Sequence, residues 1–212
     1  DDNIQKEECK TDLYSSFGED KSSDFIFEYK KEHDKLVLLN NNFRFSCKIY
    51  GSYNFPNIAS AISIGRFLDL DSNQIQTGLS RFQTEENRSE VLQYQGNTIY
   101  LDAYNANPTS MIAAIDNFNK EIDNDKIIIL GDMLELGDFS KDEHEKIIDR
   151  LYKMDFESIY LVGDIFSSIN ISDERFKKFD DTNQLIRELD LTKIKNKSIL
   201  IKGSRSIGLE KL

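Results

Sequence analysis

The stretch Tyr100-Leu101-Asp102-Ala103-Tyr104-Asn105-Ala106-Asn107-Pro108-Thr109-Ser110-Met111 is the one whose reading decides the fold. Before it, Asn97 to Leu101 is β-branched and aromatic and reads as the end of a strand. Two asparagines and a proline then break the pattern, and Met111-Ile112-Ala113-Ala114-Ile115 continues as a helix that begins near Pro108. Thr109 or Ser110 is the expected cap. Asp102, Tyr104, Asn105 and Asn107 are thereby set at the carboxyl end of a strand, beside the unpaired N–H groups of a helix start. Open α/β sheets bind ligands at that place, and anions meet a positive dipole end there. An ordinary strand–loop–helix corner, with asparagine chosen for turn propensity, has the same pattern.

Working outward, Val91 to Tyr94 and Thr98 to Leu101 flank Gln95-Gly96-Asn97, a hairpin signal. Strands and helices alternate after it: strands at Lys126–Leu130, Ser158–Val162 and Ser198–Ile201, helices at Lys141–Lys153 and Asn183–Leu189. Strands this apolar, separated by helices, indicate a parallel sheet covered on both faces. Right-handed crossovers bring every strand's carboxyl end to one edge, where loops begin at Asp102, Gly131, Gly163 and Lys202. The amino-terminal part differs. Residues 1–24 are polar and acidic, with a turn expected over Ser15–Asp20. Phe25–Tyr29, Lys35–Leu39 and Phe43–Ile49 read as an antiparallel meander. A helix from Phe55 to about Leu68 follows, then a second over Gln74–Leu79 capped by Asp71 or Ser72. The aperiodic Arg81–Arg88 is the linker, which divides the chain into residues 1–86 and 87–212.

With 212 residues, 39% hydrophobic and 31% charged, the chain can bury one large or two modest cores. A net charge of −11 argues against a phosphate-backbone partner, which calls for a basic face. Cys9 and Cys47 have no metal-ligand spacing and suggest no disulfide framework, which suits the cytoplasm. No apolar run approaches the ~20 residues of a membrane span. His33 and His144 lie far apart and belong to no zinc motif; His144, within Lys141-Asp142-Glu143-His144-Glu145, reads as an exposed helix turn without a chemical role.

Asp102-Ala-Tyr-Asn-Ala-Asn-Pro-x-Ser-Met, Leu130-Gly-Asp-Met-Leu-Glu-Leu-Gly137 and Lys202-Gly-Ser-Arg-Ser206 resemble, in the right order, motifs of the Mur ligase family. Within the family they look like the branch that joins D-alanyl-D-alanine to a UDP-N-acetylmuramoyl-tripeptide. Gly51-Ser-Tyr-Asn-Phe-Pro-Asn57 is similar to a helix start shared by all Mur ligases, with Tyr53 where histidine is usual. Asp1-Asp2 matches only the tail of an Asn-x-Asp-Asp motif. The resemblance implies the end of a central ATP-binding domain, antiparallel strands plus helices, followed by a Rossmann-like carboxyl-terminal domain with a mostly parallel sheet. It also implies an acid–D-amino-acid ligase of peptidoglycan precursor synthesis: ATP phosphorylates a substrate carboxylate, and an amine attacks the acyl phosphate. Mg²⁺ and basic side chains offset the charge in such a transfer.

No Gly-x-x-x-x-Gly-Lys-Ser/Thr occurs in the sequence. The expectation is therefore a carboxyl-terminal portion, inactive alone, with metal ligands upstream and no catalytic residue of its own. By resemblance, Asn54 and Asn57 lie beside adenine, Arg88 reaches an ATP phosphate and Asp102 meets the ribose. Tyr104, Asn105 and Asn107 shape the cleft, while Lys202, Ser204 and Arg205 hold substrate carboxylates. Asp132 and Glu135 either receive the dipeptide's ammonium or orient Arg205. The expected partners are the tripeptide nucleotide and D-alanyl-D-alanine, with neither nucleic acid nor membrane, and a monomeric state. Two alternatives stand: the Mur ligase that adds the third amino acid, and a non-catalytic nucleotide- or peptide-binding module of the same fold.

Overall fold

The computed structural model describes residues 15–32, 35–82, 89–123 and 125–212. Asp1-Asp2, Cys9, His33 and Arg88, singled out above, lie outside the described residues. The chain forms two compact units, residues 1–83 and 84–212.

In the first unit, β1 (Phe17–Gly18) and β2 (Phe25–Ile26) form a short parallel pair. β3 (Glu28–Glu32), β4 (Lys35–Asn40) and β5 (Phe43–Cys47) form an antiparallel sheet in that order. The strand expected over Phe25–Tyr29 is thus two, broken at Phe27, whose amide bonds to Gly18 while its ring is buried. The expected turn over Ser15–Asp20 contains β1 for the same reason. Helix α1 (Phe55–Phe67) and α2 (Ser72–Arg81) supply Ile58, Ala59, Ile62, Ile75 and Leu79 to a core with Leu36, Leu38, Phe45 and Cys47. Asp71 caps α2 in a reciprocal box with Gln74, which sets its start. Burial pushes the Cys47 thiol above its ordinary pKa.

The second unit is a six-stranded sheet of β6 (Glu90–Tyr94), β7 (Asn97–Asp102), β8 (Lys126–Gly131), β9 (Ser158–Val162), β10 (Phe176–Phe179) and β11 (Ser198–Lys202). Their order across the sheet is β10-β9-β8-β11-β7-β6. All neighbours are parallel except β6 and β7, joined by a two-residue turn. Gln95 and Gly96 hold that turn at φ 52° and 83°, the left-handed pair that a tight hairpin demands. Helices α3 (Pro108–Glu121), α4 (Ser140–Leu151), α5 (Asp164–Ser168) and α6 (Thr182–Glu188) connect the parallel strands. β8, β9 and β11 are buried along nearly their whole length, as two-sided coverage requires.

α5 and β10 were not expected from the sequence. β10 is an edge strand in which only the two phenylalanines of Phe-Lys-Lys-Phe are buried, so its apolar pattern is too sparse to read. The cap of α3 is also corrected: Asn107 is the N-cap, and Ser110 closes the box from inside the helix. His144 is corrected too. It is fully buried rather than exposed, because α4 turns that face onto Phe166 and the loop after β8. Among the described residues no helix is long and apolar enough to cross a membrane.

Candidate functional site

Strand register places the motif residues. Lys202 pairs with Asp102 on one side and Leu130 on the other, so the ends of β7, β11 and β8 stand side by side. Gly131 pairs with Val162, which adds the end of β9. The loops after all four strands open on this one edge.

At the first corner, Lys202 Nζ donates to Asp102 Oδ2 at 2.6 Å and to the Asn105 carbonyl at 3.3 Å. The side chains are 2% and 14% exposed. The Ser89 amide donates to the other carboxylate oxygen at 3.3 Å, from a backbone at φ 49°. A lysine brought out of water requires a partner, and this carboxylate supplies it. Lys202, expected from the sequence to hold a substrate carboxylate, here faces Asp102 and the loop that follows it. The same contact fixes Asp102 with both oxygens at the edge, and leaves each room to accept a further hydroxyl. Asn107 spends its side chain on the cap of α3, while Tyr104 and Asn105 are on the loop surface.

At the second corner the acid is used differently. Asp132 is 2% exposed, and its two oxygens accept from the amides of Ile165 and Phe166 at 2.9 and 3.0 Å. It therefore caps the turn that starts α5. Gly163 makes this possible, since its φ is 125° and an added Cβ would lie 2.3 Å from the Asp132 carboxylate. Both oxygens are thus engaged by backbone amides. Glu135 is exposed, at φ 65°, on the same loop.

The second and third loops are stitched together. Ser204 Oγ accepts the Leu134 amide at 3.0 Å, and the Ser204 amide donates to the Asp132 carbonyl at 3.2 Å. A Cβ on Gly203 would sit 2.9 Å from the Gly131 Cα, so the approach needs a residue without one. This brings Arg205 beside the Glu135 loop. Arg205 is exposed, and its guanidinium lies 5.2 Å from the centre of the Tyr104 ring, a cation–π contact across to the first loop.

Asn54 and Asn57 belong to the other unit. Asn54 is buried, donates to the Tyr50 carbonyl at 2.8 Å and accepts from the Asn57 amide group at 3.0 Å. Its side chain does not cap α1. Asn57 stays exposed at the first turn. Among the described residues no three His, Cys, Asp or Glu side chains cluster to hold a metal. Sequence reasoning missed Ser89, placed Gly163 at the edge without its part in seating Asp132, and gave His144 no role.

The UDP-N-acetylmuramoyl-tripeptide–D-alanyl-D-alanine ligase of Borreliella burgdorferi is 29% identical over 175 residues, covering 80% of this chain and 38% of that protein. A crystal structure of MurF from Acinetobacter baumannii superposes with a TM-score of 0.77 at 26% identity, over 93% of this chain and 45% of that one. A MurF ligase from Thermotoga maritima in complex with ADP shares the fold at a TM-score of 0.79 and 22% identity, over 100% of this chain and 50% of that one. The chain thus spans about 40–50% of the length of these proteins. Residues 87–205 match the Mur ligase, glutamate ligase domain model, and with more than half of its length inside that match the chain belongs to the Mur ligase family.

Proposed function

We propose that this chain is the carboxyl-terminal portion of an ATP-dependent ligase that joins D-alanyl-D-alanine to a UDP-N-acetylmuramoyl-tripeptide. The observation that carries the reading is the pair of stitched loops that set Arg205, stacked on Tyr104, beside the exposed Glu135. A dipeptide zwitterion presents one carboxylate and one ammonium. The planar guanidinium takes the carboxylate by a two-point fork, and Glu135 faces the ammonium. Asp102, fixed by Lys202 and Ser89, accepts from a nucleotide's ribose hydroxyls. ATP supplies the phosphoryl group that activates the tripeptide's carboxylate. This chain's residues hold the dipeptide and orient its attacking amine.

Two measurements test this. In the complete enzyme, Arg205→Ala costs about 1.5–3 kcal/mol of dipeptide recognition, the worth of one charged hydrogen bond, with the ATP dependence unchanged. An unaltered response to D-alanyl-D-alanine concentration would remove Arg205 from the site. The purified 212-residue chain turns over no ATP, since it has no phosphate-cradling glycine loop. Steady turnover would overturn the assignment as a portion.

A further inference from the structure

The loop that carries Glu135 is anchored by three consecutive backbone amides, each to a different part of the unit. The Asp132 amide donates to the Val162 carbonyl at 3.0 Å, and the Leu134 amide to Ser204 Oγ at 3.0 Å. Between them, the Met133 amide donates to His144 Nε2 at 2.9 Å. His144 comes from α4, is 0% exposed, and its other ring nitrogen lies 2.6 Å from the Ser140 carbonyl one turn back. A carbonyl only accepts, so Nδ1 carries the proton. A backbone N–H only donates, so Nε2 carries none. The imidazole is therefore the neutral, Nδ1-protonated tautomer, with the Phe166 ring edge-on at 4.5 Å and Asp132 Oδ1 3.5 Å from Nε2. The Met133 nitrogen, at 2.9 Å, is the nearer partner of Nε2, and its N–H occupies the lone pair there.

We propose that His144 is a positioning residue for recognition of the incoming amine: its unprotonated Nε2 holds the Met133 amide, and through it sets the left-handed Glu135 two residues on. The inference rests on the function proposed above, in which Glu135 faces the ammonium. A buried histidine on a helix otherwise serves packing alone. Here its acceptor reaches the backbone of the loop that carries the exposed Glu135. A left-handed non-glycine residue persists where neighbouring contacts hold it, and the Met133, Leu134 and Asp132 amides are those contacts.

Two substitutions separate the ring's two bonds. His144→Asn retains a donor for the Ser140 carbonyl but is too short to reach Met133. His144→Gln places an amide oxygen near the position of Nε2 and restores the acceptor. In the complete enzyme, the asparagine variant is expected to raise the KM for D-alanyl-D-alanine about tenfold, with kcat and the KM for ATP nearly unchanged. The glutamine variant is expected to return that KM to within about threefold of the parent. Equal dipeptide KM values in both variants, or parallel losses in kcat and in ATP use, would reduce His144 to packing. ¹⁵N spectra of the 212-residue chain give an independent reading: a protonated Nδ1 and a slowly exchanging Met133 amide are expected, and a protonated Nε2 overturns the proposal. Arg205→Ala is the reference. If dipeptide KM is indifferent to Arg205 as well, the proposed function fails; if it is indifferent to His144 alone, only the positioning role fails.

Discussion

Asp102 and Asp132 stand at the carboxyl ends of β7 and β8, the two strands that flank β11, and the chain treats them in opposite ways. Asp102 meets a charged partner, Lys202, and stays at the surface of the edge. Asp132 accepts from backbone: it is sunk against Gly163 and holds the first turn of α5 by two amides, with His144 Nε2 3.5 Å from Oδ1. One carboxylate is paired with a lysine at the strand edge, while the other is paired with the amides of a helix start. The difference lies in what crosses the strand end. Beside Asp102 a lysine shares its register position, whereas beyond Asp132 a helix begins, with unpaired N–H groups that favour a negative charge. Acids in similar motif positions can thus carry different work, and the neighbouring chain assigns it.

The largest expected effect lies at the first corner. Lys202→Met leaves Asp102 without its cation in a crowded setting and is expected to cost about 3–5 kcal/mol in urea unfolding of the chain. Adding Asp102→Asn should recover part of that loss. A cost below about 1 kcal/mol, the range of exposed pairs, would show that the two corners differ less than their geometry says. At the second corner, Asp132→Ala removes the cap of α5 and is expected to cost about 1.5–3 kcal/mol. It should shift the Ile165 and Phe166 amide resonances while leaving Asp102 and Ser89 unmoved. A matching shift at Ser89 would mean that the corners are coupled. Smaller again is Asn107→Ala, expected to cost about 1 kcal/mol through the lost cap of α3. Faster hydrogen exchange confined to the first turn of α3 would place Asn107 with Asp132, as a residue spent on structure. A weakened nucleotide or dipeptide response without that exchange change would return it to the ligand side.

The periods of the sequence carry the sheet. Continuous apolar runs at Lys126–Gly131, Ser158–Val162 and Ser198–Lys202 can sit only in strands covered on both faces, and the direction of the chain then brings their ends to one edge. Gln95-Gly96 and Asn107-Pro108 mark a turn and a helix start because few residues suit those backbone conformations. His144 was not legible, since Lys-Asp-Glu-His-Glu is a solvated pattern by composition and only the seating of α4 against the loop after β8 buries its middle. β10 and α5 were too short and too polar to show a period.

The sequence by itself determined the long apolar strands of the second unit, their shared direction and hence the edge on which Asp102, Glu135 and Arg205 gather, because side-chain periodicity is a local property of ten or so residues. Tertiary structure alone decided which acid meets a lysine and which meets backbone amides. The Lys202–Asp102 contact joins residues 100 apart in sequence, Leu134 to Ser204 spans 70, and Asp132 to Phe166 spans 34. No local pattern records such partners. They follow from strand order, which brings remote groups to within 3 Å and requires each buried charge to find its match.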